Sequence, residues 1–174
     1  MLRLLLLRHS KAVPYAGKGD HERPLTERGR SDASRMGSYI ADQKCAPDAA
    51  IHSGAQRTRE TLAIVLTRLR PGIDVYAETG LYEGASAAFL SAVRGVRDEA
   101  ATALIVGHNP TIAEMASRLA RAGEADAMAR MTVKFPTSAL AILDFEAAQW
   151  RDVTERAGRL VDFVTPRSLG GEGD

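Results

Sequence analysis

The run Leu4-Leu5-Leu6-Leu7 ends abruptly in Arg8-His9-Ser10. Four successive leucines leave no polar face, so residues 2–7 read as a strand covered on both sides and central to its sheet. Such strands belong to parallel sheets flanked by helices, which narrows the chain to an α/β architecture. A second run, Ala103-Leu104-Ile105-Val106, enters Gly107-His108-Asn109-Pro110 in the same manner. In open α/β sheets, ligands bind beyond the carboxyl ends of the strands. Two strands that each deliver a histidine there predict one site built from both halves of the chain.

The chain has 174 residues, 45% apolar and 26% charged, enough for one unit with a sizeable core. The expected domain spans residues 1–167, with a polar, Gly-rich tail over 168–174 that frays. The 23 basic and 22 acidic side chains give no basic coat for nucleic acid. Locally, the first 35 residues hold eight Lys/Arg against four Asp/Glu. That tilt suits an anionic ligand, although scattered solvated charges would give the same count. Cys45 is the sole cysteine, so no internal disulfide can form and a reducing compartment fits. The leucine run is cut by Arg8 and is too short for a signal peptide, and no stretch reaches the ~20 apolar residues of a membrane span. A cytoplasmic protein without a membrane partner is the expectation.

Apolar runs alternate with helical periods along most of the chain. Strands are expected at 2–7, 49–52, 74–77 and 102–106, with helices over 26–43, 58–69, 86–98 and 111–121. Thr26 is a plausible N-cap, and Pro110 suits the first turn of the helix that follows it. Residues 10–25, with Pro14, Gly17, Gly19 and Pro24, read as a loop over a strand end. Beyond 121 the pattern changes to short strands at 132–135, 138–145, 149–154 and 159–164. The whole predicts a three-layer α/β sandwich: a mostly parallel central sheet, helices on both faces, and short C-terminal strands.

Arg57 follows Ser53-Gly54-Ala55-Gln56, between a strand and its helix, where a helix amino terminus favours anions. Two guanidiniums and an imidazole can surround a phosphoryl group, since arginine's fork matches its oxygens. A second imidazole, neutral near pH 7, can attack phosphorus in line while the fixed cations stabilise the spread charge, with no metal required. Each side chain alone has an ordinary alternative: a packed histidine, or a solvated helix arginine. Their joint placement at strand ends is what carries the argument. No His-Glu-x-x-His, Cys-x-x-Cys, P-loop or Gly-x-Ser-x-Gly motif is present to support zinc, nucleotide or serine chemistry. His21 and His52 are read as structural, and Trp150, Phe135, Phe145 and Phe163 as core or interface.

These segments resemble the histidine phosphatase superfamily, of phosphoglycerate-mutase-like fold, and within it the small phosphohistidine-phosphatase, SixA-like branch. The resemblance rests on Leu7-Arg8-His9, Arg23-Pro24-Leu25-Thr26-Glu27-Arg28-Gly29, Ser53-Gly54-Ala55-Gln56-Arg57-Thr58-Arg59-Glu60-Thr61, Leu81-Tyr82-Glu83 and Val106-Gly107-His108-Asn109-Pro110. It implies His9 as the phosphorylated nucleophile, with Arg8, Arg57 and His108 binding phosphate. Backbone amides near Ser10 and Asn109 would assist, and Glu83 matches the family's general-acid position. Arg23 is a further candidate for substrate contact. Ser10 departs from the family's usual glycine and leaves the conformation of that loop open. The implied activity is a phosphatase without cofactor or metal. It would act first on phosphohistidine in a protein, such as a histidine-phosphotransfer domain, with a small phosphoester as the alternative substrate. A module that binds a phospho-ligand without turnover is the alternative from another class.

Overall fold

In the computed structural model, which describes residues 1–15, 17, 19–84 and 86–172, the leucine run forms strand β1, Leu2–Arg8. Positions 16 and 18 of the expected loop, 85, and the last two residues of the expected tail lie outside the described residues. Leu4 to Leu7 are fully buried. Their side chains alternate: Leu4 and Leu6 face one core layer, Leu5 and Leu7 the other. Each buried leucine contributes roughly 1.5–3 kcal/mol, and the period of two divides that gain between both faces.

Further strands are β2 (Ala49–His52), β3 (Asp74–Ala77), β4 (Thr102–Gly107), β5 (Ala120–Gly123), β6 (Leu140–Phe145) and β7 (Gly158–Val164). They form one seven-stranded sheet in the order β3-β2-β4-β1-β6-β7-β5. β3, β2, β4 and β1 are mutually parallel, so their carboxyl ends share one edge. β6 pairs antiparallel with β1 and β7, so the C-terminal strands extend the main sheet.

Helices α1 (Glu27–Asp42) and α2 (Gln56–Leu66) cover one face, placing Met36, Ile40, Leu62 and Val65 against Leu5, Leu7, Leu104 and Val106. Helices α3 (Ser86–Arg94), α4 (Thr111–Leu119) and α5 (Ala125–Val133) cover the other, with Phe89, Ile112, Met115 and Met131 inward. Thr26 caps α1 as its sequence predicts, its side chain accepting from the Gly29 amide. The chain is thus the three-layer α/β sandwich that the pattern predicts. Among the described residues no helix is long and apolar enough to cross a membrane.

Two predicted strands are not strands. Residues 132 and 133 close α5, because the Ala-rich stretch before them favours a helix and Glu124 caps it, accepting from the Asp126 and Ala127 amides. The β-branched pair Thr132-Val133 merely ends that helix. Trp150–Asp152 is a 3₁₀ turn rather than part of a strand. The Trp150 indole is fully buried and donates to the Ala100 carbonyl (2.6 Å), a tertiary bond that outweighs its strand propensity. β5 was not expected, its Ala-Arg-Ala-Gly sequence carrying no strand signal.

Candidate active site

The register of β1 against β4 pairs Arg8 with Gly107. The next residue on each strand is a histidine, and the two rings stand side by side, their centroids 5.1 Å apart. The His9 amide donates to the Gly107 carbonyl, which fixes this junction. β2 brings Ser53 to the same edge, and Arg57 follows in the first turn of α2. His9, Ser53, Arg57 and His108 are all buried.

His9 Nδ1 lies 2.8 Å from the Ser10 carbonyl. A carbonyl only accepts, so Nδ1 carries the proton and Nε2 keeps its lone pair. Burial, aided by the nearby His108, Arg57 and Arg8, outweighs that hydrogen bond and pushes His9 down to about 3. Burial and the Arg57 charge likewise push His108 down to about 4, against an opposing pull from Asp20. Both rings are therefore neutral at pH 7. His108 Nε2 is 2.6 Å from the Ser53 hydroxyl, which lies 3.0 Å from the Thr58 hydroxyl. His108 Nδ1 is buried with no hydrogen-bond partner.

The arginines approach from different elements. Arg8 Nη1 donates to the Phe135 carbonyl (2.9 Å), and Asn109 Nδ2 donates to the same oxygen (3.0 Å). Arg57 donates through Nη1 to the Asp20 carbonyl (2.7 Å) and through Nη2 to Asp20 Oδ2 (2.9 Å). The Asp20 carboxylate also accepts from Tyr82 and Arg23. Burial opposes its charge, but Tyr82, Arg57 and Arg23 together hold it at about 2. Tyr82 packs edge-on against His108 at 5.4 Å and against His21 at 5.0 Å.

Ser10 is fully buried, and its amide and hydroxyl, like its carbonyl, are engaged internally. Its amide donates to Thr61 Oγ1 (3.0 Å) and its hydroxyl meets Ser138 Oγ (2.5 Å). Its φ is not left-handed, so the departure from glycine carries no backbone strain. Asn109 is exposed. Glu83 is exposed too, between Tyr82 and Gly84, whose carbonyl accepts from Thr111. Arg23 joins the site through Asp20 rather than directly.

Sequence reasoning missed Asp20, Tyr82, Ser53, Thr58, Thr61 and Ser138. The spacing of Asp20 three residues before Arg23 offered a local hint, whereas Ser138 lies 128 positions from the Ser10 it meets. Among the described residues no three His, Cys, Asp or Glu side chains gather as metal ligands would.

Comparison with known proteins places the chain in a family. A model of the histidine phosphatase superfamily (branch 1) matches residues 4–89. A SixA structure from Agrobacterium tumefaciens, named as a phosphohistidine phosphatase, is 32% identical with a TM-score of 0.77, covering 95% of this chain and 98% of that one. The chain belongs to the histidine phosphatase superfamily. Within it the chain is SixA-like. Rv1276c of Mycobacterium tuberculosis (strain ATCC 25618 / H37Rv) is 38% identical over 166 residues, 92% of this chain and 100% of that protein. The protein histidine phosphatase SixA in complex with tungstate shares the fold at 20% identity and a TM-score of 0.78, covering 97% of this chain and 99% of that one.

Proposed function

We propose that this SixA-like chain is a phosphatase that works through phospho-His9, with phosphohistidine on a protein as its preferred substrate. In the first step His9 Nε2 forms a bond to phosphorus as the bond to the leaving nitrogen or oxygen breaks. In the second, water attacks phosphorus, the P–N bond to His9 breaks, and inorganic phosphate leaves. Arg8, Arg57 and His108 are the groups available to stabilise charge on the equatorial oxygens, so neither step requires a metal. The observation that carries this reading is the His9 Nδ1 bond to the Ser10 carbonyl. It selects the one tautomer in which a buried, neutral ring presents Nε2 as nucleophile.

The surroundings favour a macromolecular substrate. A cleft of about 650 Å3, lined by Arg8, Asn109, Ser117, Val133 and Lys134, adjoins the site through Arg8 and could receive the surface around a side chain presented by another protein. The 32% identity to a protein that bears the name phosphohistidine phosphatase points the same way. A second reading, a small-molecule phosphomonoesterase, rests on Glu83, whose exposed carboxyl could protonate an alkoxide. A binding module without turnover would need a distorted loop at Ser10, and the backbone there is ordinary.

Hydrolysis of a phosphohistidine protein and of alkyl and aryl phosphates, with EDTA present, tests the proposal. An acid-labile, base-stable phosphoenzyme should accumulate in wild type and vanish in His9→Ala. Glu83→Gln should cost roughly 10²–10⁴ in rate on alkyl phosphates and little on phosphohistidine, whose P–N bond is labile. Phosphate binding without turnover by wild type would defeat the proposal, and equal Glu83→Gln losses on both substrates would defeat the assigned preference.

A further inference from the structure

Arg57 carries five N–H groups in a rigid fork, and one residue grips its end. Asp20 takes a hydrogen bond from each terminal nitrogen, through its carbonyl and its Oδ2. Nε is buried with no hydrogen-bond partner. The carboxylate is itself fixed from two other sides. Oδ2 also accepts from the Tyr82 hydroxyl (2.9 Å), and Oδ1 accepts from Arg23 Nε (2.8 Å). Arg23 is in turn tied through Nη1 to the Val13 carbonyl. The Asp20 side chain is 45% exposed and that of Arg57 only 6%, so the network reaches from solvent to a buried cation.

We propose that Asp20 is a positioning residue that holds Arg57 by its end, so that the Nε edge stays free to take a phosphoryl oxygen. This rests on the phosphatase reading above. A guanidinium has a second fork, formed by Nε and the neighbouring terminal nitrogen, and an arginine held at its end can grip an oxyanion with that edge. A loose arginine would lose rotamer freedom at every binding event; Asp20 imposes that order beforehand. The same contacts would serve competition if the carboxylate had to be displaced by phosphate. An occupied end beside an unpartnered Nε favours positioning, because the two edges serve two anions at once.

Wild type, Asp20→Ala and Asp20→Asn are to be compared by steady-state hydrolysis of an aryl phosphate and by calorimetric binding of inorganic phosphate, with thermal midpoints recorded. Positioning predicts that kcat/KM falls roughly ten- to hundredfold in Asp20→Ala, mainly through kcat, with weaker phosphate binding. Asp20→Asn, whose amide oxygen still accepts, should recover part of the loss, and midpoints should stay near wild type. Tighter phosphate binding with a lower KM in either variant would establish competition and overturn positioning. Unchanged kinetics, or losses that merely track a falling midpoint, would overturn it as well. Should Asp20→Ala fail to fold, Asp20→Asn decides by the same signs. A wild type that neither hydrolyses the ester nor binds phosphate overturns the phosphatase reading itself, and the role given to Arg57 with it.

Discussion

His108 holds an imidazole nitrogen buried and unpartnered beside two arginines, and an incoming oxyanion resolves that conflict only if Nδ1 bears a proton. Ser53 permits two routes. Its hydroxyl can donate to Nε2, which leaves the proton on Nδ1, or accept from Nε2–H while Nδ1 takes up a second proton. Burial is the main cause that depresses His9 to about 3 and His108 to about 4, with Arg57 and Arg8 adding to it; a bound dianion offsets those two charges and attracts a proton itself, so it raises both values. Proton uptake then accompanies binding, and affinity rises as pH falls. Sulfate is the suitable probe, since it stays dianionic from pH 8 to 5. Its affinity should tighten toward pH 5 by up to about tenfold per pH unit for each proton taken up. His108→Ala should flatten the slope. A wild-type affinity that is level across this range would mean that the site binds dianions without charging a histidine.

At the level of elements, the first turn of α1 is fitted to the loop that carries Asp20. A Cβ on Gly29 would sit 2.1 Å from the Lys11 carbonyl oxygen, which also accepts from the Thr26 amide and hydroxyl. Helix propensity alone says that Gly29→Ala stabilises by about 1 kcal/mol. The contact reverses that sign: the backbone of residue 11 cannot yield cheaply, and a net loss of about 1–3 kcal/mol is expected from urea denaturation. A more stable Gly29→Ala would show that the loop moves freely. The same contrast between local and tertiary information explains what the chain made legible. β1 and β4 were plain because a strand buried on both faces must be apolar at every position, and His9 and His108 because they terminate those strands. α5 was obscured by Thr132-Val133, a local signal that a capped, Ala-rich helix overrides. Asp20 escaped because its value lies in Arg57, 37 positions away, and Tyr82, 62 positions away. No periodicity reports such a contact.

For the whole molecule, the site couples function to acid stability, because its cage draws on β1, β4 and α2 at once. An unfolded histidine titrates near 6.5, whereas His9 and His108 do so at about 3 and about 4 when folded. Burial lowers His52 in the same direction. As pH falls below 6.5 the unfolded chain binds protons that the folded chain refuses, so stability is full above that value and is lost progressively toward pH 4 to 3. Each of the two site rings contributes a slope of up to about 1.4 kcal/mol per pH unit within its window. Asp20, held at about 2, adds to the loss as pH falls through the ordinary carboxylate range toward that value. Urea titrations at pH 7, 5.5 and 4.5 should therefore show a steep decline over a range in which most carboxylates remain charged. Saturating sulfate should shallow the decline, since a bound dianion gives the protonated rings a partner that the empty cage withholds. His9→Ala should shallow it as well, by removing the most depressed ring. An acid decline that neither sulfate nor His9→Ala alters would place its origin in the general surface charge and away from the cage.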